Sequence, residues 1–292
     1  MKTEAPQTPT IATVGTFDGV HTGHVHLLEQ LRDKARELGL SSWVLTFPAK
    51  PCPQAQNSGT SMLNSADEKL ALLHRYADYA SILSLSRDDF SLTGREFLSA
   101  LKERYGVEAF MMGFNNHIGS DRACAADLTD AAIPVFEASA KPGGICSTAA
   151  RHALAEGRPD NAADILGRPY SLCGKVTAGK QLGRTIGFPT ANIEPDDSRR
   201  AIPATGVYAV DVAIEDDRRT YRGVANIGHR PTVDTDGAPM SIEVHILGFD
   251  GDIYGRTLTV AFRRRLRAEQ RFGSLDELRA AIEADCRLAA EI

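Results

Sequence analysis

Near residue 170 the hydrophobic pattern of this chain changes period, and that change limits its folds more than any other feature. Before it, short apolar runs alternate with stretches whose apolar residues recur every three or four positions; after it, apolar and polar residues alternate one by one. A spacing of three to four belongs to helices laid on a core, and a spacing of two to half-buried strands. The first part therefore reads as α/β, a parallel sheet with helices on both faces, and the second as a small antiparallel barrel or sandwich. At 292 residues the chain is also long for one core, so two domains are expected, 10–166 and 167–292.

In the first part, Ile11, Ala12 and Val14 mark the end of a buried strand. Leu28, Leu31, Ala35 and Leu38 predict a helix from about Val25, stopped by Gly39. Residues 43–47, 81–85, 109–112 and 133–136 predict further strands, and residues 65–76 and 94–105 further helices. Two short helices, from Ser147 through Leu154 and then to Leu166, form the join. In the second part, residues 207–212, 241–246 and 257–262 alternate, with turn signals at Gly206, Gly223, Gly228, Gly237, Gly251 and Gly255. One helix closes the chain: Ser274 and Glu277 read as a capping box, and Leu275, Leu278 and Ile282 as its apolar stripe.

Chemistry concentrates where the first strand hands over to the first helix, in the run from Gly15 to His24. Gly15, Gly19 and Gly23 let a ligand approach the main chain, and a helix start offers unpaired N–H groups and the positive end of its dipole. His21 and His24, three apart, can face one side there and donate to phosphate oxygens. The plainer alternative is one histidine as a cap and the other packed; zinc is disfavoured because no Cys pair or HxxxH spacing completes a tetrahedral set. In such sheets ligands bind beyond the carboxyl ends of the strands, where the turn 113–115 also falls. Ser147, Thr148 and Arg151 read either as a polyphosphate site or as an N-cap with a surface arginine.

A second centre spans residues 179–192, dense in glycine and polar donors but without the spacing of a Walker A loop. Thr190 and Asn192 are two apart, so in an extended segment both oxygens face one side, suited to Mg²⁺ with phosphates completing the shell. A turn in which Asn192 satisfies its own backbone is the alternative. In residues 241–246, Ile242, Val244 and Ile246 point one way and Glu243 and His245 the other, which makes Glu243 either a solvated position or a placed base.

Composition excludes several classes. Forty-two per cent hydrophobic and 24% charged residues describe a globular protein, and no apolar run approaches a membrane span. A net charge of −5 argues against general affinity for nucleic acid. Five scattered cysteines, none in a CxxC, read as reduced thiols in a cytoplasmic protein.

Together these pieces resemble the bacterial bifunctional riboflavin kinase/FAD synthetase family over residues 11 to 288. GTFDGVHTGH (15–24) and ICSTAAR (145–151) resemble its nucleotidyltransferase motifs; GRPYSLCGKV, GRTIGFPTAN, IPATGVY, GVANIGHRPT and RLRAEQRF resemble its kinase motifs. The resemblance implies a Rossmann-like HxGH nucleotidyltransferase domain followed by a β-barrel riboflavin kinase domain with a C-terminal helix. It implies riboflavin, FMN, FAD and ATP as substrates and products, Mg²⁺ as the metal, and no nucleic-acid or membrane partner; self-association is left open. For adenylyl transfer it implies His21 and His24 as catalytic residues, with Gly15, Phe17, Asp18, Gly23, Asn115, Ser147, Thr148 and Arg151 around the nucleotide. For the kinase it implies Glu243 as base, Thr190 and Asn192 as metal ligands, and Arg267 on the flavin. Gly174, Lys180, Gly183, Gly187 and Pro189 would line the kinase's ATP. The chain departs from the family pattern at Ala49, Lys50, Ile118, 120–126 and Cys146. The departures motivate one alternative, a riboflavin kinase whose first domain is inactive or of altered specificity; a non-catalytic flavin-binding regulator is the other.

Overall fold

β1 (Thr10–Gly15) is apolar on both sides: Ile11 joins one core cluster, and Ala12 and Val14 join another. A strand with two buried faces belongs inside a parallel sheet. Among the residues described by this computed structural model (1–48, 61–143, 145–178, 183, 186–229 and 240–292), β1 is the centre of five parallel strands in the order β3-β2-β1-β4-β5. Its neighbours are β2 (Ser41–Thr46) and β4 (Val107–Met112), with β3 (Tyr79–Ile82) and β5 (Val135–Glu137) outside them. Helices α1 (Thr22–Leu38) and α2 (Ala66–Leu73) bury Leu28, Leu31, Ala35 and Leu73 against one face. Helix α3 (Gly94–Tyr105) buries Phe97, Leu98 and Leu101 against the other. The chain divides into two compact units, Met1–Ser147 and Thr148–Ile292.

Several boundaries differ from the sequence reading. α1 starts three residues before Val25, because the His21 side chain caps it and draws the whole TGH segment into the first turn. Leu38 is 43% exposed, lying in the last turn before the left-handed Gly39, outside the stripe. α2 ends at Leu73 instead of 76. β3 lies two residues earlier than expected, since Tyr79 pairs with Trp43, and Ser84 bridges Lys2 instead. β5 begins after Pro134, which has no N–H to give a ladder; Ile133 is buried ahead of the strand.

In the second unit α4 (Ser147–Ala155, past its first residue) and α5 (Pro159–Leu166) precede a closed barrel. Its strands are β6 (Tyr170–Thr177), β7 (Ala191–Pro195), β8 (Gly206–Ile214), β9 (Thr220–His229), β10 (Met240–Ile246) and β11 (Thr257–Arg267). The order is β10-β7-β6-β11-β8-β9, so the choice between barrel and sandwich resolves as a barrel. Val212, Ala225, Ile227, Val244, Leu258 and Val260 are fully or almost fully buried in it.

Gly223 and Gly228, read as turns, lie inside β9. A Cβ on Gly223 would meet the His245 carbonyl at 2.9 Å and Val212 at 3.1 Å; one on Gly228 would meet the Glu269 carboxylate at 2.3 Å. These glycines answer crowding, a requirement that resembles a turn signal only in sequence. Gly237 lies outside the described residues. Helix α6 (Leu275–Glu291) packs on β8 and β9, where Ala289 and the partly buried Cys286 meet Val207, Ala209 and Val224. Its capping is half of a box: Ser274 accepts from the Glu277 N–H, but the Glu277 carboxylate accepts from Gly273. Leu275, expected in the stripe, is 59% exposed. Among the described residues no helix is long and apolar enough to cross a membrane.

Candidate active sites

In the first unit, the end of β1 turns sharply. Phe17 and Val20 both have positive φ, 46° and 39°, which is strained backbone for residues with bulky side chains. The turn is held by its surroundings: Phe17 and Val20 are buried, the Asp18 carboxylate accepts from the Leu63 N–H (2.9 Å), and the Ser147 hydroxyl donates to the Asp18 carbonyl (2.8 Å). Gly15 lies under the Phe17 ring, where a Cβ would come within 3.0 Å.

His21 is the N-cap of α1, and its Nδ1 accepts from the His24 N–H at 3.2 Å. The proton of a neutral His21 therefore sits on Nε2. The two imidazoles stack, centroids 3.6 Å apart, and Phe17 meets His24 edge-on at 5.1 Å. Gly23 suits this packing, since a Cβ there would press on the His21 ring at 3.2 Å. The Nδ1 of His24 is buried with no hydrogen-bond partner among the described residues. Burial, then the neighbouring His21, then Lys69 hold the His24 pKa well below the ordinary 6.5. In the free protein His24 is thus a neutral imidazole, so what it offers a phosphate is an N–H and no charge.

Lys69 is the residue the sequence reading missed. It is 5% exposed, donates to the Thr16 carbonyl at 3.0 Å and to the Phe47 carbonyl, and so ties together the carboxyl ends of β1 and β2. Burial brings its pKa down to about 8 against the opposing pull of Asp18. A signal existed: Lys69 falls four residues before buried Leu73, on the apolar side of α2.

The turn after β4 places Asn115 exposed and left-handed (φ 64°), while Asn116 fastens the turn by donating to the Val14 carbonyl at 3.2 Å. The departure at Ile118 lies elsewhere, buried in the core with Phe97, Leu128 and Ala123. Ala49 and Lys50 lie outside the described residues. In the second unit Arg151 donates to the Thr148 hydroxyl at 3.3 Å within α4.

On the barrel, Glu243 pairs in register with Asn192 on β7 and Asn226 on β9. Directly opposed residues share a face. Since Ile242, Val244 and Ile193 are buried, the carboxylate and the two amides stand together on the opposite face. The Thr190 hydroxyl reaches Glu243 at 3.4 Å. Asn226 was not anticipated, because β9 carries no clear alternation of its own.

Pro189 accepts from Nδ1 of His245 at 2.8 Å, and the His245 ring meets Phe188 edge-on at 5.5 Å. Gly183 accepts from the Phe188 N–H (2.8 Å), and a Cβ there would lie 2.2 Å from the Phe188 carbonyl. Gly187 is left-handed with open space around it. Lys180 lies outside the described residues. Gly174 sits inside β6, where a Cβ would strike the Glu194 carbonyl at 2.3 Å. Pro189 and Thr190 line a cavity of about 420 Å³ together with Val244, Asp250, Asp252 and Tyr254.

Arg267 donates to both oxygens of Asp285 on α6 (2.8–3.1 Å) and lies over the Phe272 ring at 5.5 Å. Asp285 itself is 4% exposed.

A strand–turn–helix with stacked histidines at the carboxyl edge of a parallel sheet in one unit, and a six-stranded closed barrel with a carboxylate on its outer face in the other, define a two-unit α/β-plus-barrel class of protein. The riboflavin kinase family matches residues 166–292, and the FAD synthetase family matches residues 3–140. The bifunctional riboflavin kinase/FMN adenylyltransferase of Pseudomonas fluorescens is 40% identical over 96% of this chain and 91% of its own length. That of Escherichia coli K12 is 38% identical over 99% of this chain and 94% of its own. A crystal structure described as a macrolide-efflux protein from Streptococcus pneumoniae superposes with a TM-score of 0.87 at 32% identity, over 99% of this chain and 96% of that one. The chain belongs to the bifunctional riboflavin kinase/FMN adenylyltransferase family.

Proposed function

We propose that this protein makes FMN from riboflavin and ATP, and then FAD from FMN and a second ATP. In the barrel the ribityl hydroxyl oxygen of riboflavin attacks the γ-phosphorus, the bond to ADP breaks, and the hydroxyl proton passes to the Glu243 carboxylate. Thr190 and Asn192 offer a hydroxyl and an amide oxygen on the face of Glu243, a hard-oxygen set that fits Mg²⁺. When bound, the metal supplies neutralisation of phosphate charge as the γ-phosphoryl transfers. The cavity beside Thr190, of ligand size, takes the nucleotide, with Gly183, Gly187 and Pro189 shaping its approach and Arg267 facing the flavin.

In the first domain an FMN phosphate oxygen attacks the α-phosphorus of ATP, and pyrophosphate leaves. The nucleophile is already an anion, so this site needs donors at the phosphates and no strong base. His21, His24 and the N-terminus of α1 fill that role, with Ser147, Thr148 and Arg151 on the leaving pyrophosphate. Functionally the domains are read as 10–166 and 167–292, with the boundary where the helical period gives way to alternation. We also propose a cytoplasmic location, where the cysteines stay thiols.

The observation that carries this reading is that each unit holds a separate constellation suited to one of two phosphate reactions. The stacked histidines sit in one unit, and the Glu243–Thr190–Asn192 face in the other. Burial of Ile118 supports a working first site, because that departure alters core packing and leaves the turn alone. The test is a time course of riboflavin with Mg-ATP, its products separated by chromatography. FMN that rises and then gives way to FAD with pyrophosphate is expected; FMN accumulating with no FAD, even when FMN is supplied, removes the second activity.

A further inference from the structure

His245 follows Glu243 by two residues on β10, so the two side chains share the outer face of the barrel. Its Nδ1 lies 2.8 Å from the Pro189 carbonyl oxygen. A carbonyl only accepts, so that nitrogen carries the proton and donates. Its ring also meets Phe188 edge-on, with centroids 5.5 Å apart. His245 therefore grips two consecutive residues of the segment that delivers Thr190.

The grip has a specific consequence. The pyrrolidine ring already sets φ of Pro189. A hydrogen bond to the Pro189 carbonyl sets the plane of the next peptide, and with it the direction in which the chain enters Thr190. Both dihedrals ahead of Thr190 are then determined, one covalently and one by His245. Thr190 is the residue whose hydroxyl reaches Glu243 at 3.4 Å. On the far side of the segment Gly187 is left-handed, with φ of 90°, and the Phe188 N–H donates to the Gly183 carbonyl at 2.8 Å, so the His245 contact fixes the end nearer Thr190.

We infer that His245 is a positioning residue of the kinase site, holding the Phe188–Pro189 peptide so that the Thr190 hydroxyl stays beside Glu243. The inference rests on the reading of Thr190 and Glu243 as kinase residues. His245 acts through the Pro189 carbonyl, and its contact lies on the exposed surface of the barrel, so its loss disturbs geometry at the site more than folding.

The test uses the full-length protein and three single variants. His245→Phe keeps the aromatic edge and deletes the donor. His245→Asn keeps an N–H close to the place of Nδ1, and Thr190→Val removes the positioned hydroxyl. Riboflavin phosphorylation is measured as kcat and KM with saturating Mg-ATP, FMN adenylylation as the internal control, and thermal unfolding alongside. His245→Phe is expected to lower kcat for phosphorylation about tenfold, with KM for riboflavin, adenylylation and the melting temperature nearly unchanged. His245→Asn is expected to recover most of that loss. The inference is overturned if His245→Phe keeps kcat within twofold while Thr190→Val is impaired, or if the asparagine variant is as poor as the phenylalanine one. A fall of both activities together with the melting temperature overturns it too, by making His245 a stability residue. If Thr190→Val itself phosphorylates riboflavin normally, the reading of Thr190 fails first and the inference falls with it.

Discussion

At the end of β1 two imidazoles are pressed face to face in a strained turn, whereas on β10 a half-buried carboxylate stands between two asparagines on the outside of a barrel. The first arrangement is built from local chain: a cap, a helix start and a left-handed turn within ten residues. The second is assembled from three strands that are distant in sequence. The difference follows the chemistry asked of each. On the proposed reading, donors for a nucleophile already charged come from the backbone and the imidazole pair, of which burial keeps His24 neutral. A base must receive a proton and stay within reach of a metal and a hydroxyl, which suits an open strand face above a closed core.

The sharpest way to break this contrast is Glu243→Gln. Phosphorylation of riboflavin is expected to fall about 10²–10⁴-fold, while FMN-to-FAD conversion, measured separately with FMN supplied, stays within twofold. His24→Ala is the mirror experiment, with a loss of about 10²–10³-fold in adenylyl transfer and an unaffected kinase. If either substitution removed both activities from a folded protein, the division between the units would be wrong.

The contrast also has a pH signature. In the folded chain burial and His21 keep His24 neutral well below 6.5, while the unfolded chain protonates it near that value. Below pH 6.5 the unfolded state therefore binds the extra proton, and the first unit loses stability as the pH falls; above 6.5 this histidine contributes no slope. The chain's single tryptophan, Trp43, is fully buried in that unit, so urea unfolding followed by its fluorescence reports the unit alone. A smaller acid-side slope in His24→Ala is the expected result, and an identical slope would assign the effect to other groups.

On the barrel side, Asp285→Asn leaves the Arg267 guanidinium without its charged partner. Breaking such a pair is expected to remove about 3 kcal/mol of stability, read by circular dichroism in urea, and to raise KM for riboflavin several-fold. The smallest effect belongs to Cys146→Ser, a near-isosteric change at an exposed position where the chain departs from the pattern of the family it resembles. Both activities should change by less than twofold, and a larger gain in FAD formation would mean that this departure tunes the first site.

Much of the first unit was legible because its signals are local. Gly39 and Gly106 end helices in the left-handed conformation, Ser65 caps α2 through a reciprocal pair with Glu68, and α3 spans 94–105 as its leucines indicate. His21 and His24 were legible as a pair, but their stacking was not, nor was the neutral state of His24. Lys69 was legible only in part: its spacing to Leu73 places it on the apolar side of α2, but a lysine on a helix ordinarily lies in water, and the Thr16 and Phe47 carbonyls that hold its ammonium come from distant chain. In the barrel, Glu243 stood out by alternation, whereas Asn226, Arg267–Asp285 and His245–Pro189 depend on elements brought together over long stretches of chain.

By itself the sequence determined which segments become helix or strand, where most helices stop, and that the chain turns from a layered α/β half to an antiparallel half. Those properties depend on neighbours within about four residues, and periodicity and capping record them directly. Only the tertiary structure decided that the antiparallel strands close, that Gly223 and Gly228 are points of crowding, and which asparagines flank the carboxylate. Register between distant strands is set by how their buried faces fit one another, and a one-residue slip turns every side chain to the other face. No local pattern carries that information.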